Sequence, residues 1–356
     1  MNERGYLERL NKVQNLIAEK QLQGIVLRRN PNLAWMIGGR VHVPSTLDSA
    51  CFDLIITADD VTVVTNTIEA PRLVAEELPS NVSVKIINWW EGRDKFLPSG
   101  ENFGCDQPGA NRFDLSREIE ILRQSLVSED IERFRSVCSD SSIALGEALK
   151  NSHSNDREID IAGKISKALW EKNLEIVFIG VAGQTRVQKH RHPLPTDSVV
   201  GNRIVASICA RRKGLISSVT RIVSFNDDDI SGYENILKVE SEIFEKTKVG
   251  AKFSEPIEAA VHAYEKFQFD KDEWMKHHQG GPTGYAPRDW AANRESDQLI
   301  LPHQPIAWNP TGNGWKVEDT IMTKGEINSG FEILTLDPNW PSVEVNGRPR
   351  PSVLKI

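Results

Sequence analysis

The sequence predicts an α+β protein in which a smaller N-terminal α/β domain precedes a larger α+β domain. Its 356 residues exceed the length that one hydrophobic core usually serves. Before about residue 125, short runs of β-branched residues dominate. Beyond that point, long amphipathic patterns are interleaved with paired strand-like runs. The change at residues 125–128 predicts two domains, 1–126 and 127–356.

The first domain opens with an amphipathic helix. Between Tyr6 and Ile17, apolar residues recur at three- and four-residue spacing, which places them on one helical face. Short apolar runs bounded by Asn, Asp, Pro or Gly then predict strands at 24–27, 52–57, 61–65 and 82–87, with a helix at 69–78. A stretch rich in proline and glycine, 97–109, precedes helical patterns at 114–126 and 129–149. Ser128 is suited to cap the second of these helices.

The second domain carries longer elements. Amphipathic spacing predicts helices at 157–172, 231–247 and 256–267. Strand-like runs separate them at 176–181, 203–209, 215–225, 305–308 and 320–323.

Composition excludes several classes of function. Forty-three Lys and Arg residues against 50 Asp and Glu residues give a net charge of −7, which disfavours non-specific electrostatic binding to nucleic acid. No apolar run approaches the roughly 18 residues of a membrane span. The four cysteines are widely separated, as expected for a reduced, cytoplasmic protein. No glycine-rich phosphate loop is present, so we expect no nucleotide cofactor.

Six short stretches of the second domain can be compared with known motifs. They are HPLPTD at 192–197, SVTR at 218–221, HHQGGPTG at 277–284, WNP at 308–310, GWKVED at 314–319 and GFEILT at 330–335. In this order, the stretches resemble the signature blocks of the pita-bread superfamily, which includes Xaa-Pro aminopeptidases, prolidases, methionine aminopeptidases and creatinase. They are similar to the active-site His block, D-x-T-R, H-H-x-G-H-G-x-G, T-x-E-P, G-x-R-x-E-D and G-x-E-x-L-T. The resemblance implies a pita-bread catalytic-type domain at 127–356.

The N-terminal part supports the same resemblance. The sequence YLERL at 6–10 and the strand beginning at Gly24 look like the creatinase-type accessory domain. The resemblance therefore implies a creatinase-type N-terminal α/β domain at 1–126, and it also implies a homodimer.

The metal-dependent relatives hold two divalent ions with two Asp, one His and two Glu, and this chain departs from that pattern. Matched to the blocks, the five positions carry Ser207, Ser218, Gly281, Asn309 and Glu332. One carboxylate cannot offset the dehydration of two divalent ions. We therefore expect a metal-free site without a cofactor.

The remaining polar groups suggest proton-transfer chemistry. The resemblance to creatinase, which works without metal, assigns the general base and acid to His192, with Glu332 orienting it. Arg221, Arg288, Asn309 and His278 are the predicted substrate-binding residues, and two arginines favour an anionic group. His190 is the alternative to His192, because it lies only two residues away.

Structural roles are the alternative for most of these residues. For Arg221, a structural salt bridge to a neighbouring strand is the alternative to substrate binding. For Arg288, the alternative is a solvated charge in a loop. His277 and His278 suit a glycine-rich turn. Ser207 and Ser218 lack the Gly-x-Ser-x-Gly context of a nucleophile.

The leading hypothesis is a metal-independent, creatinase-like hydrolase. It would cleave a C–N bond (amide, amidine, urea or ring) in a small anionic or zwitterionic molecule. Two alternatives stay open at this stage. One is a metal-dependent peptidase of the Xaa-Pro aminopeptidase or prolidase type, and the other is a catalytically inactive pita-bread binding module. The sequence does not distinguish a hydrolase from a lyase.

Overall fold

A computed structural model describes residues 3–45, 47, 49–227 and 229–356. The chain divides into two compact units. The first comprises the residues before Glu132 together with Lys213–Leu215, and the second comprises Glu132–Arg212 and Ile216–Ile356. The division falls within one helix, a few residues beyond the boundary expected from the sequence.

The first unit is built on a six-stranded mixed sheet. Its elements are α1 (Glu3–Glu19), β1 (Gly24–Arg29), α2 (Asn30–Ile37), β2 (Ser49–Thr57), β3 (Val61–Asn66), α3 (Ala70–Arg72) with a π-helical turn (Leu73–Glu77), β4 (Ser83–Ile87), a 3-10 turn (Arg93–Phe96), β5 (Phe103–Cys105), β6 (Phe113–Asp114) and α4 (Ser116–Gln124). The helix α5 (Ser128–Lys150) leads out of this unit. The strand order is β4-β3-β2-β1-β5-β6. The first four residues of β1 are buried, consistent with a central strand covered on both faces.

The second unit begins with a helix followed by the long strands of one sheet. Its first elements are α6 (Glu158–Glu171), β7 (Glu175–Gly183), α7 (Gln184–Val187), β8 (Arg203–Arg212), β9 (Leu215–Ser224), α8 (Ser231–Lys246), α9 (Ser254–Lys266) and a 3-10 turn (Glu273–Lys276). The remaining strands are β10 (Gly280–Pro282), β11 (Pro305–Trp308), β12 (Thr311–Gly312), β13 (Trp315–Lys316), β14 (Asp319–Thr323), β15 (Phe331–Ile333), β16 (Ser342–Val345), β17 (Arg348–Pro351) and β18 (Leu354–Lys355).

Two four-stranded sheets meet in this unit. One has the order β18-β9-β8-β7 and the other the order β10-β11-β14-β15. Backbone bridges join them, because Ile216 donates to Gly284 (2.7 Å) and Thr220 donates to Glu318 (3.0 Å). The helices α8 and α9 pack against the apolar core between the sheets. Polar side chains of β9 that face this junction are therefore brought beside residues about a hundred positions later in the chain.

All ten residues of β9 are buried, so each of its polar side chains needs a partner. Side chains alternate along a strand, and Ser218 and Thr220 therefore share a face that Arg221 does not. Within the described ranges, no helix combines the length and apolar character that crossing a bilayer requires.

Candidate functional site

Three imidazoles meet at one point of the second unit, and we call His192, His277 and His278 the histidine cluster. His192 lies in the connection between α7 and β8, and the other two lie between the 3-10 turn and β10. The Nε2 atoms of His192 and His277 are 3.0 Å apart. The rings of His277 and His278 stack with centroids 4.5 Å apart.

Hydrogen bonds fix the protonation pattern of the pair. The Nδ1 of His277 lies 2.5 Å from the carbonyl oxygen of His278, which can only accept, so Nδ1 carries the hydrogen. Burial, reinforced by the charge of Lys316, lowers the pKa of His277 to about 2, and the ring is therefore neutral at pH 7. Its Nε2 must then accept a hydrogen from Nε2 of His192. The remaining nitrogen of His192, Nδ1, is left as a base.

The other two histidines are also held neutral. Burial and the charge of Lys316 lower the pKa of His192 below its ordinary value of 6.5. Burial and the charge of Arg288 lower the pKa of His278 to about 4. Three uncharged imidazoles in contact are available as proton acceptors or as ligands.

A second group of polar residues surrounds a buried carboxylate, and we call Glu318, Lys316, Arg288, Thr220 and Asn309 the Glu318 cluster. The side chain of Glu318 is 6% exposed, and its Oε2 accepts from Lys316 Nζ (2.9 Å) and from Thr220 Oγ1 (3.0 Å). Its Oε1 lies 3.5 Å from Nη2 of Arg288 and 3.5 Å from Nδ2 of Asn309. Burial alone would raise the pKa of Glu318, but the two cations together hold it below its ordinary value. The cluster therefore carries one net positive charge.

The hydroxyl of Ser207 extends this cluster. Because the hydrogen of Thr220 Oγ1 goes to the carboxylate, Thr220 accepts from Ser207 Oγ at 2.7 Å. Ser218 instead contacts Sγ of Cys209 at 3.3 Å. Burial raises the pKa of that thiol, so it stays protonated. Ser207 and Ser218 thus fill hydrogen-bonded positions, and among the described residues neither serine is hydrogen-bonded to the base that a serine nucleophile requires.

Two cavities flank the histidine cluster. One, of about 10 Å³, has room for about one water and is lined by His192, Ser207, Thr311 and Lys316 among others. The other, of about 350 Å³, is lined by Ile257, Trp274, Met275, His277, His278, Gln279, Ala291, Ala292 and Asn293. The first suits a reacting water, and the second is large enough for a small organic group.

The two-ion centre of the pita-bread relatives does not fit these residues. Gly281 stands where the resemblance places a metal-binding His, and its φ of 153° is rarely adopted by other residues. A Cβ there would overlap the carbonyl oxygen of Trp290, so the backbone itself excludes a side chain. The other four positions carry two hydroxyls, an amide and the carboxylate of Glu332, which pairs with Arg135, and the nearby carboxylate of Glu318 is already bound by two side-chain cations. Hard divalent ions need several free anionic oxygens.

One predicted catalytic residue lies elsewhere. Glu332, expected to orient His192, is on β15 with its side chain 45% exposed, and it pairs with Arg135 at 2.8 Å. The expectation that it enters the cavity with His192 is wrong, because it lies at the outer edge of its sheet. Glu318 is the carboxylate that the structure brings beside Asn309 and Ser207.

The predicted substrate-binding role of Arg221 is also wrong. Its side chain is 1% exposed, binds Asp319 at 3.1 Å and donates to the carbonyl oxygens of Thr220 and Thr335. Arg350 binds the other oxygen of Asp319 at 2.6 Å. Arg221 is therefore part of a buried ion-pair network on the far face of β9.

The structure brings His192, His278, Arg288, Asn309 and Ser207 into one region, together with Lys316 and Glu318, which the sequence did not single out. His277 is there too, and its contact with His192 was not predicted. Lys316 and Glu318 both lie in the GWKVED block, two residues apart, so the block itself was the available signal. His190 lines the smaller cavity but lies outside the histidine cluster.

Comparison by sequence finds no matching family model and no matching curated protein. Comparison by structure finds clear likenesses. The prolidase of Pyrococcus horikoshii is 16% identical with a TM-score of 0.76, over 93% of this chain and 98% of that one. The dipeptidase PepE of Mycobacterium ulcerans is 14% identical with a TM-score of 0.78, over the full length of both chains.

A third likeness is to a protein of a different kind. The N-terminal domain of a FACT complex subunit from chickpea (Cicer arietinum) is 13% identical with a TM-score of 0.70, over 94% of this chain and 97% of that one. Together with the prolidase and dipeptidase, it establishes the class: the chain has the α+β pita-bread fold. The predicted fold class is confirmed.

Proposed function

We propose that the protein is a metal-independent hydrolase that cleaves a C–N bond in a small anionic or zwitterionic molecule. The observation that carries the proposal is the pair of His192 and His277. Their hydrogen bond leaves Nδ1 of His192 as a neutral base, and His192 lines a cavity with room for about one water. A hydrolase of the pita-bread class is also what the prolidase and dipeptidase likenesses favour.

His192 is proposed to transfer the proton. A water in the smaller cavity would donate to Nδ1 of His192 while Lys316 stabilises the hydroxide that forms. The hydroxide oxygen then bonds to the carbonyl or amidine carbon, and the imidazolium returns the proton to the leaving nitrogen as the C–N bond breaks. His277 would position His192, because its own Nδ1 is anchored to a backbone carbonyl.

The net positive charge of the Glu318 cluster supports an anionic substrate. Arg288 has a buried Nε without a hydrogen-bond partner among the described residues, and Asn309 has a buried Oδ1 in the same condition. A substrate with both an acceptor and an N–H group would satisfy both atoms. A carboxylate next to an amide, amidine or ureido group has that combination. His278 would contact the substrate from the larger cavity.

The chickpea FACT subunit favours one competing function, a binding module without catalysis. That protein has the same fold and is named as a subunit of a complex. The histidine cluster argues against this reading, because a binding surface does not require a neutral base beside a water-sized cavity. A peptidase of the Xaa-Pro type is favoured by the prolidase likeness, but the described residues do not supply the ligands for the metal ions of such a peptidase.

The test is turnover on a panel of N-carbamoyl, N-amidino and N-acyl amino acids, with Xaa-Pro dipeptides as the peptidase arm. Wild-type protein should release ammonia or amine from at least one of the first three classes with a metal chelator present. His192→Ala should lower kcat by about 100-fold or more. His262→Ala, which removes an exposed histidine of α9, is the matched control and should retain turnover. Equal activity of His192→Ala would refute the mechanism, and turnover of no substrate would favour the binding module.

A further inference from the structure

The histidine cluster has a second chemical capacity besides proton transfer. One ligating nitrogen from each of His192, His277 and His278 can be chosen so that all three lie within 4.8 Å of one another. It is the one group of three or more potential metal-ligating side chains found at such separations within the described ranges. Its members differ entirely from the five positions of the two-ion centre.

The distances are close to those of a three-histidine metal site. With metal–nitrogen bonds of about 2.0–2.1 Å, two ligands of a tetrahedral ion lie about 3.3 Å apart. The Nε2 atoms of His192 and His277 are already 3.0 Å apart. To admit an ion, the widest separation must shorten, and the stacked rings of His277 and His278 and the facing Nε2 atoms of His192 and His277 must turn so that their lone pairs converge. His192 lies in an irregular connection and is exposed, so its ring can move.

The surroundings of the rings also match a metal site. Histidine ligands usually donate their second N–H to a carbonyl or carboxylate, which fixes the ring and its tautomer. His277 does this through the bond from Nδ1 to the carbonyl oxygen of His278. His278 has a buried Nδ1 without a hydrogen-bond partner among the described residues. An ion would use the open lone pair of His278, and at His192 and His277 it would replace the hydrogen bond between the two Nε2 atoms.

The ligand set selects the class of ion. Three neutral imidazoles without a free carboxylate suit zinc and similar late transition metals, whereas manganese and magnesium prefer oxygen ligands. The net positive charge of the Glu318 cluster opposes a divalent cation at the rings, and an anion in the fourth coordination position would offset that repulsion. The cavity of about 350 Å³ beside His277 and His278 has room for it.

We propose that His192, His277 and His278 form a site for a single zinc-class divalent ion, and that this ion blocks catalysis. Binding at Nε2 of His192 moves the hydrogen of that nitrogen to Nδ1, so the base of the proposed reaction is lost. The blocking role rests on the proposed function, whereas the binding site does not. Zinc would thus act as a reversible inhibitor of an enzyme that needs no metal.

Binding is measured first, by competition of chelator-treated protein with a chromophoric zinc chelator. Wild-type protein should bind one zinc ion per chain. His192→Ala, His277→Ala and His278→Ala should each weaken the affinity at least tenfold. His262→Ala, which removes an exposed histidine of α9, is the matched control and should bind as wild type does. Absent binding, or affinity unchanged in the three variants, would overturn the site.

Two further readouts separate the possible failures. Cobalt(II) added to unaltered wild-type protein should give the visible absorption of a tetrahedral ion with nitrogen ligands, so the proposal is tested even where a variant fails to fold. Its absence would refute the site. In the turnover assay, zinc should inhibit and a chelator should restore activity. Zinc that binds without slowing turnover would refute the blocking role alone, and turnover that requires zinc would refute the metal-independent hydrolase while keeping the site.

Discussion

Replacing Glu318 by Gln tests whether this carboxylate, and not Glu332, belongs to the site. Glu318 is 6% exposed and pairs with both Lys316 and Arg288, so Glu318→Gln leaves two buried cations without the one carboxylate that they share. Removing one partner of a buried ion pair costs about 3–5 kcal/mol. Glu332→Gln makes the same chemical change at a pair that is 45% exposed, where the cost is about 0–1 kcal/mol.

The assay is thermal unfolding of the two variants beside wild type. For a unit of this size, 1 kcal/mol corresponds to roughly 2–4 °C in Tm. Glu318→Gln should therefore lower Tm by roughly 6–20 °C, and Glu332→Gln by no more than about 4 °C. Equal, small shifts would refute the assignment of Glu318 as a buried, doubly paired carboxylate. A larger shift for Glu332→Gln would restore that residue to the site.

Two other substitutions test the corrected roles. Arg221→Met should lower the free energy of unfolding by about 3 kcal/mol or more, because it leaves Asp319 with one fewer buried partner; denaturant unfolding that matches wild type would contradict the structural role. Gly281→His, which restores the expected metal ligand, should lower the stability by at least about 2 kcal/mol without creating manganese binding, since strain and overlap with Trp290 add. Manganese bound by a stable Gly281→His protein would contradict it.

The sequence predicted those elements in which apolar residues recur at a regular helical or strand spacing. The helices α8 and α9 and the strands β9 and β11 lie within a residue or two of their predicted positions, and β8 begins at its predicted residue but ends three residues later. The helix α2 was missed because its residues from Asn32 to Ile37 are all buried, so an amphipathic pattern is lacking. The strands β12 and β13 were missed because each has only two residues, which is too short to show an alternation of apolar and polar residues.

The site was harder to predict because its contacts join distant parts of the chain. Glu318 is followed by an aspartate, and Glu332 is followed by an apolar pair. No local sequence pattern shows which of these two glutamates belongs to the site. The contact between Thr220 and Glu318 spans 98 residues and depends on β9 lying beside the second sheet. Arg221 fell on the opposite face of β9, which strand alternation predicts only once the buried side is known.

His192 illustrates what the sequence can and cannot assign. Its block singled it out as the candidate base, and the structure adds its neighbour His277 as the group that fixes its tautomer. That neighbour lies 85 residues away and follows a 3-10 turn, so only the fold brings the two rings together.

The central claim is that this pita-bread site works without the two-ion centre. Equilibrium dialysis of chelator-treated protein against excess manganese, followed by elemental mass spectrometry, tests it most directly. Manganese distinguishes the two sites because it prefers carboxylate oxygens over the imidazoles of the histidine cluster. We expect well under one manganese ion per chain, and two tightly bound ions per chain would contradict the account.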